Sequence, residues 1–229
     1  MMKLLNLIVI IIAFLAPSLL FSQDVKVIND LRSRTSLSVS KRIFKDFEIF
    51  SEFELGLEEN ISKLGKLQGE IGINYSPIKF LDIEAKYRYT KNRKNYSTEY
   101  KYTNLIALAA DAKYKIKDLK LYYRLQFQSR DDESLWNGTD DESNVYKNRL
   151  KLKYNVKRTK LTPYLSSEVY VQTGINGIDA TKLKTKVGLE YPVSKVGTIK
   201  LYYRNDRELA DFIPFTYHTI GFSCNFKFK

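Results

Sequence analysis

Apolar and polar side chains alternate along most of this chain, in segments of roughly ten residues separated by turn-forming or polar stretches, the length of a strand that crosses a membrane at a tilt. A period of two puts successive residues on opposite faces of a strand, whereas a helix would scatter them around its circumference. Phe47, Ile49, Phe53, Leu55 and Leu57 alternate with Glu48, Glu52, Glu54 and Glu58. Leu67, Ile71, Ile73 and Tyr75 alternate with Lys66, Gln68, Glu70 and Asn74. Leu81, Ile83, Ala85, Tyr87 and Tyr89 alternate with Asp82, Glu84, Lys86, Arg88 and Thr90. One face of each segment is mainly apolar, and the other carries its charges.

Farther along, the polar face turns basic. Leu119, Leu121, Tyr123, Leu125 and Phe127 stand against Lys120, Arg124, Gln126 and Gln128, and Tyr146, Leu150, Leu152 and Tyr154 stand against Lys147, Arg149, Lys151 and Lys153. Segments 161–172, 181–191, 198–206 and 215–228 complete the set. Segment 104–114 is apolar on both faces, so its pattern gives a strand without a register. Short turns at 45–46, 76–79, 117–118, 157–160 and 192–197 alternate with longer polar loops at 58–65, 91–98, 129–144, 173–180 and 207–214. That alternation predicts an all-β, up-and-down antiparallel barrel with one quiet rim and one elaborate rim. Eleven segments, from 32–43 to 215–228, are convincing strands. Single-chain bacterial barrels have even counts, so a short strand at 24–29, ending in a turn at Asn29-Asp30, is predicted to make about twelve; ten results if one segment lies outside the wall or plugs it.

A soluble barrel turns its apolar face inward and needs only one layer of filling, but here nearly every strand carries about five apolar residues opposite many like charges. Tyrosines gather near strand ends, at Tyr75, Tyr87, Tyr89, Tyr100, Tyr102, Tyr154, Tyr191, Tyr203 and Tyr217, as in an interfacial girdle. The N-terminus has Lys3, then the apolar run Leu7–Leu15, which Pro17 breaks before Leu20, Phe21, Ser22 and Gln23. That order predicts a secretory signal peptide at 1–22, cleaved after Ser22, and a mature barrel at 23–229. Together these features predict a barrel in the outer membrane of a Gram-negative-type bacterium, short turns and Lys229 in the periplasm. The longest loop, with Trp136 among Asp131, Asp132, Glu133, Asp140, Asp141 and Glu142, would lie outside. Expected partners are outer-membrane lipids, lipopolysaccharide and the barrel-assembly machinery.

One Cys and one His exclude an intrachain disulfide framework and disfavour most metal centres, and no cofactor is expected. Nucleic acid is not an expected partner: the formal charge is +12, but the cations are interleaved with apolar residues along strands rather than gathered in a patch. Glu48, Glu52, Glu54, Glu70, Asp82 and Glu84 should face the interior from one part of the wall, and Lys120, Arg124, Lys147, Arg149, Lys151 and Lys153 from another. Such belts either clasp as an ion-pair network or bracket a solute channel. Unpaired charges in a confined interior are costly, which favours the salt-bridged, structural barrel. Rim catalysis needs a nucleophile with a base, and the sole histidine, His218, falls on the apolar face with Ile220, Phe222, Cys224 and Phe226, so no enzyme is expected.

The order of segments also resembles the DUF2490 family. The likeness rests on Ser40-Lys41-Arg42 before the acidic strand, Lys86-Tyr87-Arg88-Tyr89, Tyr122-Tyr123-Arg124-Leu125-Gln126, and Asn148 to Tyr154. It continues through Leu161-Thr162-Pro163-Tyr164-Leu165-Ser166-Ser167-Glu168 and Gly188-Leu189-Glu190-Tyr191. The resemblance implies an uncharacterised outer-membrane barrel of Bacteroidetes-type bacteria, with no activity and no catalytic residues to carry over.

Overall fold

The computed structural model of the protein describes residues 28–93, 98–133, 143–174, 177–209 and 215–229. Eleven strands account for nearly all of them: β1 (Ile28–Phe44), β2 (Phe47–Glu58), β3 (Lys63–Ile78), β4 (Leu81–Arg93), β5 (Tyr100–Ile116), β6 (Leu119–Glu133), β7 (Ser143–Tyr154), β8 (Thr162–Gly174), β9 (Gly177–Pro192), β10 (Gly197–Glu208) and β11 (Phe215–Phe228). Each strand pairs antiparallel with the next, and the sheet closes on itself. The closing pair is β1 with β11, which run parallel from Ile28↔Phe215 to Lys41↔Phe228. Ser36 Oγ donates to Ser223 Oγ across this seam at 2.8 Å.

Eleven strands correct the expectation of about twelve, and equally of ten. Ile28 and Asn29 are the opening residues of β1 rather than part of a separate strand with a turn at Asn29-Asp30. The barrel tolerates an odd count because the last pair takes the parallel ladder, whose evenly spaced bonds still satisfy both backbones. Residues 24–27, the predicted signal segment 1–22 and most of the long acidic loop, including Trp136, lie outside the described residues.

Burial follows the alternation with an inverted sense. Outward side chains are apolar and open, as with Ile106 at 64% exposed and Leu201 at 55%. Inward ones are polar and enclosed, Gln128 at 1% and Thr219 at 0%. Strand β5, whose pattern fixes no register, turns Leu105, Ala107, Ala109 and Asp111 inward and Ile106 and Leu108 outward. The connection expected as a loop at 58–65 is a tight turn over 59–62, with Glu59, Asn60 and Ile61 all at positive φ. Its strain is held by β1: the Asn60 N–H donates to Asp30 Oδ1 at 2.9 Å, and the Ile61 N–H to the Leu31 carbonyl at 3.1 Å.

Inward glycines let large side chains lie flat on the wall. Gly221 faces Tyr202 across the ladder, and a Cβ at Gly221 would sit 1.9 Å from the Tyr202 ring. Gly188 lies between Tyr164 and Tyr202, and a Cβ there would meet the Leu201 carbonyl oxygen at 2.6 Å. These close approaches cover tyrosine rings with neighbouring backbone, which removes apolar area from the interior water.

The interior has two storeys. Toward the rim of longer connections, Asp30, Arg34, Thr90, Thr103, Leu105, Gln128, Val145, Asp206, Tyr217 and Thr219 are buried on seven of the eleven strands. A water-filled bore at that level would leave these side chains wet, so the level is filled. Tyr217, expected in an outer girdle, belongs to this layer: it points inward, and the Arg32 guanidinium lies 3.5 Å from its ring centre.

Candidate functional site: a cationic interior cavity

Below the filled layer the barrel encloses a cavity of about 720 Å³ that extends to Val196, in the short β9–β10 connection, and to Lys227, near the end of β11. Of the charged residues singled out from the sequence, Glu48, Glu52, Glu54, Glu70, Glu84, Arg124, Lys147, Arg149, Lys151 and Lys153 line it. Asp82 and Lys120 share the inward face but sit closer to the short-turn rim and do not line it. Asp82 is held there by the Ser76 hydroxyl at 2.8 Å and by an ion pair to Lys113.

Ion pairs run along the wall, between strands one or two apart, rather than across the bore. Glu70 takes Lys86 at 3.1 Å and Arg88 at 2.6 Å. Glu54 takes Lys66 at 2.7 Å and Arg34 at 3.7 Å. Arg124 bridges three strands: its guanidinium, on β6, grips Asp111 of β5 at 2.5 Å and reaches over β5 to Glu84 of β4 at 3.0 Å. That reach needs a small residue in between, and the ladder puts Ala109 there, opposite both Glu84 and Gln126. The alanines that leave the β5 register undetermined in the sequence thus make room for the arginine. On the far side Glu190 takes Lys153 at 2.7 Å and Lys151 at 3.3 Å, and Glu168 takes Lys147 at 3.5 Å. Bidentate guanidinium–carboxylate contacts of this kind fix orientation as well as charge.

Pairing does not balance the cavity. Its lining holds thirteen Lys and Arg side chains against seven Glu, an excess of six. Two acids just behind the lining, Asp111 beside Arg124 and Asp206 beside Arg204, reduce the excess to four. Lys184, Lys186 and Lys200 have no carboxylate at ion-pair distance among the described residues. Two of them rest on aromatic faces instead: the Lys184 ammonium lies 4.5 Å from the Tyr170 ring centre, and Lys186 lies 4.3 Å from that of Tyr202. A ring face stabilises a cation by roughly 0.5–2 kcal/mol and supplies no countercharge. Glu52 is the converse case, an acid without a basic partner at that distance among the described residues, facing Glu70 across the ladder.

Residues 33–211 match the family described as "Protein of unknown function (DUF2490)". The chain belongs to this family. A search of curated proteins gives no match. The matched span carries every charged residue of the DUF2490 cavity except Lys227, which stands on β11.

The basic wall of this DUF2490 barrel is larger than Lys147 to Lys153. Lys184, Lys186, Lys200 and Arg204, with Glu168, Glu190 and the inward Tyr164, Tyr170 and Tyr202, were not among the interior charges and rings expected from the sequence. The signal was present in Lys182, Lys184 and Lys186, which alternate with Leu183, Thr185 and Val187 as on β7. The tyrosines gave none, because an amphipathic ring suits an inner or an outer face. His218 lies on the outer surface, stacked on Tyr203 at 6.1 Å, with a 2.6 Å hydrogen bond between its Nδ1 and the Tyr203 hydroxyl. Among the described residues no group of three His, Cys, Asp or Glu side chains is placed to hold a metal ion.

Proposed function

We propose that this DUF2490 protein is an exported outer-membrane barrel, sealed to steady ion flow, whose polar interior is held by wall-hugging ion pairs. The inverted burial carries the reading. Ile71, Ile106, Leu108 and Leu201 are each more than half exposed, while Gln128 and Thr219 are enclosed. In water this arrangement exposes apolar area that nothing covers; in lipid it is the arrangement of lowest cost. Strands of 12 to 17 residues exceed the roughly 9–11 that cross a bilayer at a tilt. The apolar N-terminal run after Lys3 supports export. The filled layer from Arg34 to Thr219 supports a closed bore.

In this reading the short turns and Lys229 face the periplasm, lipopolysaccharide surrounds the opposite rim, and the assembly machinery inserts the chain. A non-enzymatic role goes with this reading: His218, the one histidine of the chain, stands on the outer surface against Tyr203 and, at 3.4 Å, Asn29. The test is fractionation of the native cell followed by gel migration with and without heating, then planar-bilayer recording. Outer-membrane recovery, a heat-modifiable band and silence in the bilayer are expected. Recovery as a soluble protein would refute the location, and steady single-channel steps would refute the seal.

A further inference from the structure

We infer that the cavity is a binding cup for an extended polyanionic solute, one carrying several phosphate or carboxylate groups along its length. The inference goes beyond the sealed-barrel reading and does not depend on which membrane holds the protein. It starts from the charge that pairing leaves over: thirteen cations against seven acids line one space, and Lys184, Lys186 and Lys200 have no carboxylate at ion-pair distance among the described residues. Packing could have filled this space, as it does one storey away. Instead, unpaired ammoniums are kept in a hollow of about 720 Å³, at a cost that a bound anion removes.

The arrangement of the cations selects the shape of the ligand. Along β7, Lys147, Arg149, Lys151 and Lys153 recur at every second residue, and Lys184 and Lys186 do so on β9. Two strand residues advance about 6.8 Å, so each row presents charges at that interval along its strand, which runs tilted to the barrel axis. Lys200 and Arg204 continue the same wall on β10. A single small anion neutralises one or two of these groups; a linear polyanion lying along the wall neutralises several and gains charge-assisted hydrogen bonds at each step. Tyr170 and Tyr202 hold Lys184 and Lys186 extended in the meantime, by contacts weak enough to yield to a phosphate or carboxylate. The cavity reaches Val196 in the β9–β10 turn and Lys227, which places its mouth at the short-turn rim.

The experiment uses the full chain, folded in non-ionic detergent at low salt and titrated calorimetrically with sodium tripolyphosphate. Saturable one-to-one binding is expected, about tenfold tighter than for orthophosphate, with a rise in the thermal unfolding midpoint of the barrel. The combined substitution Lys184→Gln, Lys186→Gln and Lys200→Gln is expected to weaken binding about tenfold or more. A charge-matched control, Lys115→Gln, Lys157→Gln and Lys160→Gln, removes exposed cations and should bind as the parent does. Should the combined variant not fold, Lys186→Gln and Lys200→Gln taken singly give the same ranking. Competition by pyrophosphate assigns the cup to soluble anions, and competition only by a short-chain phosphatidic acid assigns it to a lipid headgroup; both keep the site. Absence of saturable binding by the parent, or equal losses in the two triple variants, overturns it. Steady conductance would refute the sealed barrel and leave this result standing.

Discussion

Glu52 and Glu54 stand two residues apart on the same inward face of β2, and neutralising each should have opposite consequences. Glu54 is 2.7 Å from Lys66, for which it is the one ion-pair partner among the described residues, and 3.7 Å from Arg34, which keeps Glu58 at 2.6 Å. At 2.7 Å the attraction is about 6 kcal/mol for an effective dielectric constant of about 20, most of it offset by the desolvation of both groups. Removing one partner strands the other charge, which costs about 3 kcal/mol, the low end for enclosed pairs because Lys66 borders the cavity and regains water. Glu52 has no such partner and faces Glu70 across the ladder. Glu52→Gln keeps the shape and removes a like-charge contact, so stability should stay within about 0.5 kcal/mol or rise. The assay is denaturant unfolding of the barrel in lipid vesicles, followed by circular dichroism and by the gel shift of the folded form. Equal destabilisation by the two substitutions, or a larger loss for Glu52→Gln, would refute wall-hugging pairing as the source of interior stability.

Gly188→Ala should cost about 1–3 kcal/mol, because the new methyl meets a backbone carbonyl that cannot turn aside, while Gly69→Ala, with open space at its Cβ, should be neutral or slightly stabilising in the same unfolding assay. Leu201→Arg, on the outer face near the middle of β10, should cost about 2–4 kcal/mol in vesicles. Ser38→Arg should be tolerated, since it enters the cavity opposite the unpaired Glu52; comparable losses for the two arginines would contradict the assignment of faces.

The faces of β2, β3 and β4 were legible in the sequence because nearly all their charged residues share one parity and most of their large apolar residues the other, so one face gathers the charge. The same logic reached β7. It stopped at β5, where Leu105, Ala107 and Ala109 share a segment with Ile106 and Leu108. What decides that register is Arg124 on a neighbouring strand, which needs Ala109 beneath it. Tyr217 misled for a related reason: a ring with a hydroxyl fits a membrane interface, but it also fits under Arg32. The lysines of β9 showed in their alternation, yet their lack of partners did not. Glu168 and Asp206 stand directly across the ladder from Lys184, and only side-chain geometry shows that no ion pair forms. The strand count failed on a rule about parity, because nothing in β1 or β11 announces a parallel seam.

That seam governs the order in which such a barrel can form. Every other adjacent pair joins strands that follow one another in the chain, so its contacts close over short lengths and with little loss of chain entropy. The β1–β11 pair joins residues 187 positions apart, as at Ser36 and Ser223, and no hairpin leads into it. Its formation waits until the ten local pairings have built a curled ribbon whose two edges already lie side by side. Zipping that last pair is then a single late event, and the fourteen residue pairs from Ile28↔Phe215 to Lys41↔Phe228 hold the closed sheet shut where no hairpin does.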